Sequence, residues 1–452
     1  MRNVLCVLMI AAAGWCADFR VADYGAKGDG KADDTAAIQK AIDVAAKTGG
    51  TVVVQPGVYL SGALFLKSGT HLRLDEGAEI RGVESLAGYP MMPTRVAGIE
   101  MTWPAALINV YEQSGVEISG KGRIDGDGKI WWDKYWKLRR DYEPRGIRWA
   151  ADYDCQRPRL IQIYKSSNVD LDGLQLERSG FWTVHICYSQ KVTVDGVTIR
   201  NNIGGKGPST DGIDVDSSSN VLVQHCDIDC NDDAFCLKAG RDADGLRVNR
   251  PTEHVVIRSN TVRGGAAGVT FGSETSGGIH DVEVYGIHVL GSVSNGILFK
   301  SASTRGGTVE NIVIRDMDIQ DVNVAIGVTL NWNPSYSYAK VPEGMSDLPD
   351  YWRVLIEPVP AKSGLPHIRN VRISGIKAVG VKRGFAVSSY ADSPLQDFKF
   401  DDLDIAAKTA GIIQNAENWK FTNTRIQAED GSHVSVKESR EVTGLAEPSF
   451  VP

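Results

Sequence analysis

Ser209-Thr210-Asp211-Gly212-Ile213-Asp214-Val215-Asp216 is answered one repeat later by Asn231-Asp232-Asp233-Ala234-Phe235-Cys236-Leu237-Lys238. Gly268-Val269-Thr270-Phe271-Gly272 and Gly296-Ile297-Leu298-Phe299-Lys300 continue the same register. Alternation places Ile213, Val215, Phe235, Leu237, Val269, Phe271, Ile297 and Phe299 on one inner face, so the residues between them and the flanking aspartates look outward. Stacked as parallel strands, Asp211 lies roughly 4.8 Å from Asp233, with Asp232 beside it. Carboxylates this crowded repel one another and give up their protons unevenly. That arrangement is costly for a face that only has to be soluble.

Outward from this stretch the pattern recurs along almost the whole chain. Short strands begin at Asn168-Val169, Lys191-Val192, Asn220-Val221, His254-Val255, Asp281-Val282, Asn311-Ile312, Asn370-Val371, Asp397-Phe398 and Asn418-Trp419. The first six anchoring apolar residues are 23, 29, 34, 27 and 30 positions apart. A second apolar pair follows most of them, as in Gly173-Leu174-Gln175-Leu176, and then a third strand. Three short strands per turn with loops of variable length describe a solenoid, in which each turn buries its inner face only by stacking on the next. The expected fold is all-β: a single right-handed parallel β-helix over residues 18–452. Four-stranded propeller blades and repeated helices are not visible.

One helix is expected near the start. Asp33-Asp34-Thr35 offers N-caps before Ala36, Ile38, Ala41, Ile42 and Ala45 at helical spacing, and Gly49-Gly50 ends the segment. Its predicted job is to cover the open end of the first coil. Two insertions suspend the rhythm, at about 129–159 and 331–366. The first holds Trp131, Trp132, Trp136 and Trp149, with nine basic against five acidic side chains. Aromatic faces with guanidinium groups suit a carbohydrate that carries carboxylates, while packing of the tryptophans on the solenoid is the plainer reading. The second contains Asn331-Trp332-Asn333, Tyr336 and Tyr338.

Residues 1–17 read as an export signal: basic Arg2, an apolar run from Val4 to Ala13, then Gly14-Trp15-Cys16-Ala17. The expected location is therefore periplasmic or extracellular. No later stretch approaches the roughly 20 apolar residues of a membrane span. The net charge of −7 argues against nucleic acid as a partner. Beyond the leader stand Cys155, Cys187, Cys226, Cys230 and Cys236, an odd number with no zinc spacing.

Tyr24-Gly25-Ala26-Lys27-Gly28-Asp29-Gly30, followed by Asp33-Asp34-Thr35-Ala36-Ala37-Ile38-Gln39, resembles the opening of the pectin-degrading β-helix superfamily. Ser209-Thr210-Asp211 and Asn231-Asp232-Asp233 resemble the Asn-Thr-Asp and Gly-Asp-Asp motifs of glycoside hydrolase family 28, the polygalacturonases and rhamnogalacturonan hydrolases. The resemblance implies a pectic polysaccharide or oligosaccharide substrate and no metal or organic cofactor. It makes Asp232 the general acid, and Asp211 with Asp233 the pair that holds and deprotonates the attacking water. A carboxyl separation near 5 Å would by itself point to retention of configuration. The resemblance implies inversion, with water lodged beside the close pair.

Two of the family's residues are missing. Its Gly-His-Gly corresponds to Ala266-Ala267-Gly268, and its Arg-Ile-Lys to Leu298-Phe299-Lys300. A site that loses an imidazole and a guanidinium and gains apolar surface should favour a less polar sugar on one side. Rhamnogalacturonan is therefore preferred over homogalacturonan, with exo action if the insertions wall off one end. Lys300, looking outward, is a candidate for a substrate carboxylate, against a plain ion pair with Glu274. His185 is a second candidate contact, and Lys238 is expected to pair with Asp216. Two other readings stay open: a lyase with calcium on Asp211, Asp214, Asp216 and Asp233, and a non-catalytic carbohydrate-binding solenoid.

Overall fold

The computed structural model describes residues 17–445, so all of the expected leader except Ala17, Cys6 and Cys16 included, lies outside the described residues. Thirty strands form one continuous sheet, and every pairing in it is between parallel strands. The turns are triangular. Ile161–Tyr164, Ser167–Asp172 and Gln175–Glu177 pair with Val184–Cys187, Gln190–Asp195 and Thr198–Arg200, which pair in turn with Ile213–Asp216, Ser219–Gln224 and Asp227–Asp229. This is a parallel β-helix. Its core runs without interruption from Val21 to Phe421.

The residue opening each recurrent strand explains the repeat. Asn168, Lys191, Asn220, His254, Asp281, Asn311, Asn370, Asp397 and Asn418 all have φ between 51° and 58°. A sharp corner needs the left-handed region, which asparagine and aspartate tolerate better than other side-chain-bearing residues. Stacking then lets neighbouring corners bond: Asn311 donates to Asp281 at 3.0 Å and Asn370 donates to Asn311 at 2.7 Å. Inside the coil the same periodicity stacks rings, with Phe271 on Phe299 at 4.5 Å and Phe400 on Phe421 at 4.4 Å between centroids.

The helix at Thr35–Ala45 buries Ile38, Ala41, Ile42 and Ala45 in the same core. Asp33 accepts the Thr35 N–H at 2.9 Å, whereas Asp34 turns back to accept from Lys27 and Gly28. One element had no counterpart in the sequence reading. Met91–Val96 and Ile99–Pro104 form an antiparallel hairpin lying over the outer wall of the coil, and it decides which outward residues meet solvent.

Phe299→Ala should cost about 3–5 kcal/mol, because Phe271 and Val328 on the neighbouring rungs and Phe398 edge-on to the ring cannot all close onto the void. A chemical-denaturation midpoint lowered to match is the expected result.

Candidate active site

Asp214 pairs in register with Cys236 and Asp216 with Lys238, and the aspartates that matter stand just before these two strands. The Gly212 N–H donates to the Asp233 carbonyl at 2.9 Å, which sets Asp211 directly on the neighbouring rung. Gly212 permits this closeness, since a Cβ there would lie 2.4 Å from the Ala234 carbonyl oxygen. Carboxylate oxygens of Asp211 and Asp233 come within 4.8 Å of one another. Both side chains are buried, while Asp232 stays partly open and accepts the Asp233 N–H at 3.0 Å. All three line one cavity of about 230 Å³.

Two buried ammonium groups serve these carboxylates unequally. Lys300 donates to Asp233 at 2.7 Å. Lys238 lies 3.4 Å from Asp211, 3.4 Å from Asp214 and 3.6 Å from Glu274. Among the described residues no ammonium stands at ion-pair distance from Asp232. Burial and then the charges of Asp211 and Asp233 push the Asp232 carboxyl up to about 8. Burial, together with Asp214, also raises Asp211, and burial pushes Asp214 up to about 7. Glu274 goes the other way: burial opposes its ionisation, but Lys238, Arg305 and Lys300 hold it down to about 2. The cluster can thus keep a donatable proton on Asp232 beside two carboxyls that ion-pair with Lys238 and Lys300. That is the equipment of acid–base chemistry on a bond placed between them.

The walls come from both insertions. Residues 129–159 form a helix at Lys129–Tyr142 and short turns after it. Three of its four tryptophans are packing groups: Trp131, Trp132 and Trp149 are buried, and Trp149 meets Trp352 of the second insertion edge-on at 4.7 Å. Tyr351 and Trp352 both donate to Asp154, locking the insertions together. What reaches the cavity is Arg139, Arg148 and Asp152 from the first insertion, with Trp332, Asn333 and Tyr336 from the second. Lys300 sits over the Trp332 ring at 4.6 Å, and Lys238 over Trp182 at 5.0 Å. Tyr336 was named in the second insertion, whereas Arg139, Arg148 and Trp182 were not singled out in the sequence; the positive charge of the first insertion was the signal for the two arginines.

Several expectations are corrected. His185 does look outward on its strand, yet it is fully buried between Trp182, Arg159 and Asp216, so it is not a sugar contact here. Burial, followed by the Arg159 charge, lowers it to about 4 and keeps the ring neutral. Asp216 is not the partner of Lys238. Arg95, reaching in from the hairpin, takes it at 2.8 Å, and although burial opposes ionisation this guanidinium holds Asp216 at about 2. Lys300 pairs with Asp233 rather than Glu274. Ala266 lines the cavity, while Ala267 is buried. Cys155, Cys187, Cys226, Cys230 and Cys236 are free and buried. A calcium site on Asp211, Asp214, Asp216 and Asp233 does not fit, because Asp216 is committed to Arg95 and the other three share their space with Lys238 and Lys300.

Fold and site define a parallel β-helix with an acidic cavity on its outer wall, and comparison with known proteins gives its family. The chain belongs to the glycosyl hydrolases family 28, whose sequence model matches residues 92–345. Residues 19–75 match the rhamnogalacturonase A/epimerase, pectate lyase-like model. A probable polygalacturonase of Vitis vinifera is 31% identical over 321 residues, covering 69% of this chain and 62% of that protein. An exo-poly-alpha-D-galacturonosidase of Dickeya chrysanthemi is 25% identical over 471 residues, covering 92% of this chain and 74% of that protein. The crystal structure of a hyperthermoactive exopolygalacturonase from Thermotoga maritima superposes with a TM-score of 0.73 at 26% identity, over 95% of each chain.

Lys238→Met leaves Asp211, Asp214 and Glu274 buried without their shared counter-charge and should cost about 3–5 kcal/mol at neutral pH. Glu274 is depressed in the folded state, so its contribution is present above its ordinary value of 4.5 and lost as pH falls through about 2. The part of the stability gap between wild type and variant that comes from Glu274, read from denaturation at stepped pH, should therefore close between about pH 4.5 and pH 2.

Proposed function

We propose that the protein is an exported glycoside hydrolase that cuts an α-glycosidic bond to galacturonic acid in pectin by inversion. The single observation that carries this reading is the uneven service of three adjacent carboxylates by two lysines. Asp232, partly open and without an ammonium partner, gives its proton to the leaving glycosidic oxygen. Asp211 and Asp233, within 4.8 Å of each other, hold the attacking water between them, and one of them takes its proton. Lys300 ion-pairs with Asp233, and Lys238 lies 3.4 Å from Asp211. Lys300 is also placed to meet a substrate carboxylate.

Exo action is supported by the way the two insertions lock together beside the cavity. A cavity of about 230 Å³ falls below the roughly 300–1,000 Å³ of drug-sized ligand sites. It suits one sugar ring at the end of a chain. Rhamnogalacturonan is the preferred polymer, because Leu298 lines the groove where the family carries an arginine, and Ala267 stands in place of its histidine. Homogalacturonan is the second reading, favoured by the names of the relatives above. Export rests on the apolar leader; among the described residues no helix is long and apolar enough to cross a membrane.

Incubation with homogalacturonan and with rhamnogalacturonan oligomers should release single galacturonate units, faster from the second. Long oligomers appearing early would overturn exo action, and an unsaturated product absorbing in the near ultraviolet would overturn hydrolysis. Asp232→Asn should lower kcat by a factor of about 10³ or more with substrate binding largely kept. In the free enzyme the acid must carry its proton, so kcat/KM should fall as pH rises through about 8.

A further inference from the structure

A second cavity, of about 270 Å³, continues along the same wall and shares Trp332 with the first. Its floor is a row of register partners on successive rungs: Leu298, Gly327, Ala386 and Ile412. A Cβ on Gly327 would lie 3.1 Å from the Asn295 side-chain oxygen and 3.3 Å from Leu298, so the glycine keeps the floor low. Of the residues lining this cavity only Arg383 is charged. It is exposed and, among the described residues, has no ion-pair partner. An apolar floor with one free guanidinium, on a chain of net charge −7, selects an anionic ligand with an apolar face.

The direction of the substrate follows from the walls. Resting on the hydrolase reading above, the terminal sugar fills the first cavity, where Arg139, Arg148 and Tyr336 line the side of the locked insertions. The rest of the chain then leaves past Trp332, over Leu298 and on to the rungs beyond. Arg383 lies two rungs from Asn295, about 10 Å at roughly 4.8 Å per rung, and three residues along its own strand from Ala386, which is itself two rungs from Leu298. We propose that this second cavity seats the leaving-group side of the substrate, with the first downstream sugar against Leu298 and Arg383 binding the carboxylate of a uronate farther along. In an alternating galacturonate–rhamnose chain the 6-deoxy sugar would meet the apolar floor and the next galacturonate would meet Arg383.

The test measures affinity by calorimetry in an Asp232→Asn background, so that binding is read whether or not the bond is cut. The probes are galacturonate–rhamnose disaccharide and its tetrasaccharide, together with digalacturonate and tetragalacturonate. With Arg383 present, tetramers should bind about tenfold more tightly than dimers. Arg383→Ala should bring that ratio to about one, Arg383→Glu should lower tetramer affinity further, and Arg383→Lys should restore part of it. A tetramer with its carboxyls reduced to alcohols should gain nothing from Arg383. A length preference that survives Arg383→Ala, or is absent when Arg383 is present, overturns the inference. Failure of the hydrolase reading is separate: it appears as the enzyme with Asp232 intact turning over neither polymer. Failure to bind any of the four sugars overturns both.

Discussion

Stacking at the spacing of parallel strands is the constraint from which the site follows. A coil that repeats its backbone at each turn sets equivalent side chains one rung apart, so Asp233 stands beside Asp211. In water such carboxylates would ionise independently; here burial makes each charge expensive and each neighbour's charge costly as well. Lys238 and Lys300, on the same wall, offset part of that cost. Because they stand nearer to Asp211 and Asp233 than to Asp232, the protons are distributed by geometry.

The same stacking limits what the coil can do alone. A bare wall is an open groove, and its specificity must come from what is laid across it. The hairpin at 91–104 seals the early rungs, placing Arg95 on Asp216 and sealing His185 away from solvent. The insertions seal the next edge through Trp149, Trp352 and Asp154. Beyond Trp332 neither insertion supplies a lining residue, and there Leu298, Gly327, Ala386 and Ile412 line the second cavity. The acid cluster and that row together give the groove its direction.

Much of this was legible in the sequence because a period of two within a longer repeat fixes both face and register. The alignment of Ile213, Phe235, Val269 and Ile297 is the pairing the structure contains, and the helix at Thr35–Ala45 is where its spacing put it. The column of asparagines was visible, but the left-handed corner that calls for it is a backbone property with no apolar signature. Ion-pair partners were the least legible. Lys238 and Asp216 share a row, yet Arg95 arrives from more than a hundred residues away and takes Asp216. His185 failed for the same reason: outward on a strand means exposed only where nothing lies over the strand.

The central claim is that Asp232 holds a proton near neutral pH because it is desolvated beside Asp211 and Asp233, with no ammonium at ion-pair distance among the described residues. It is tested most directly by titrating the carboxyl carbons of ¹³C-labelled aspartate by nuclear magnetic resonance, in wild type and in Asp232→Asn. Alongside the raised carboxyls of Asp211 and Asp214, the account predicts a carboxyl titrating near pH 8 that vanishes in the variant. Asp232 assigned instead to a carboxyl that ionises below pH 5 would contradict it.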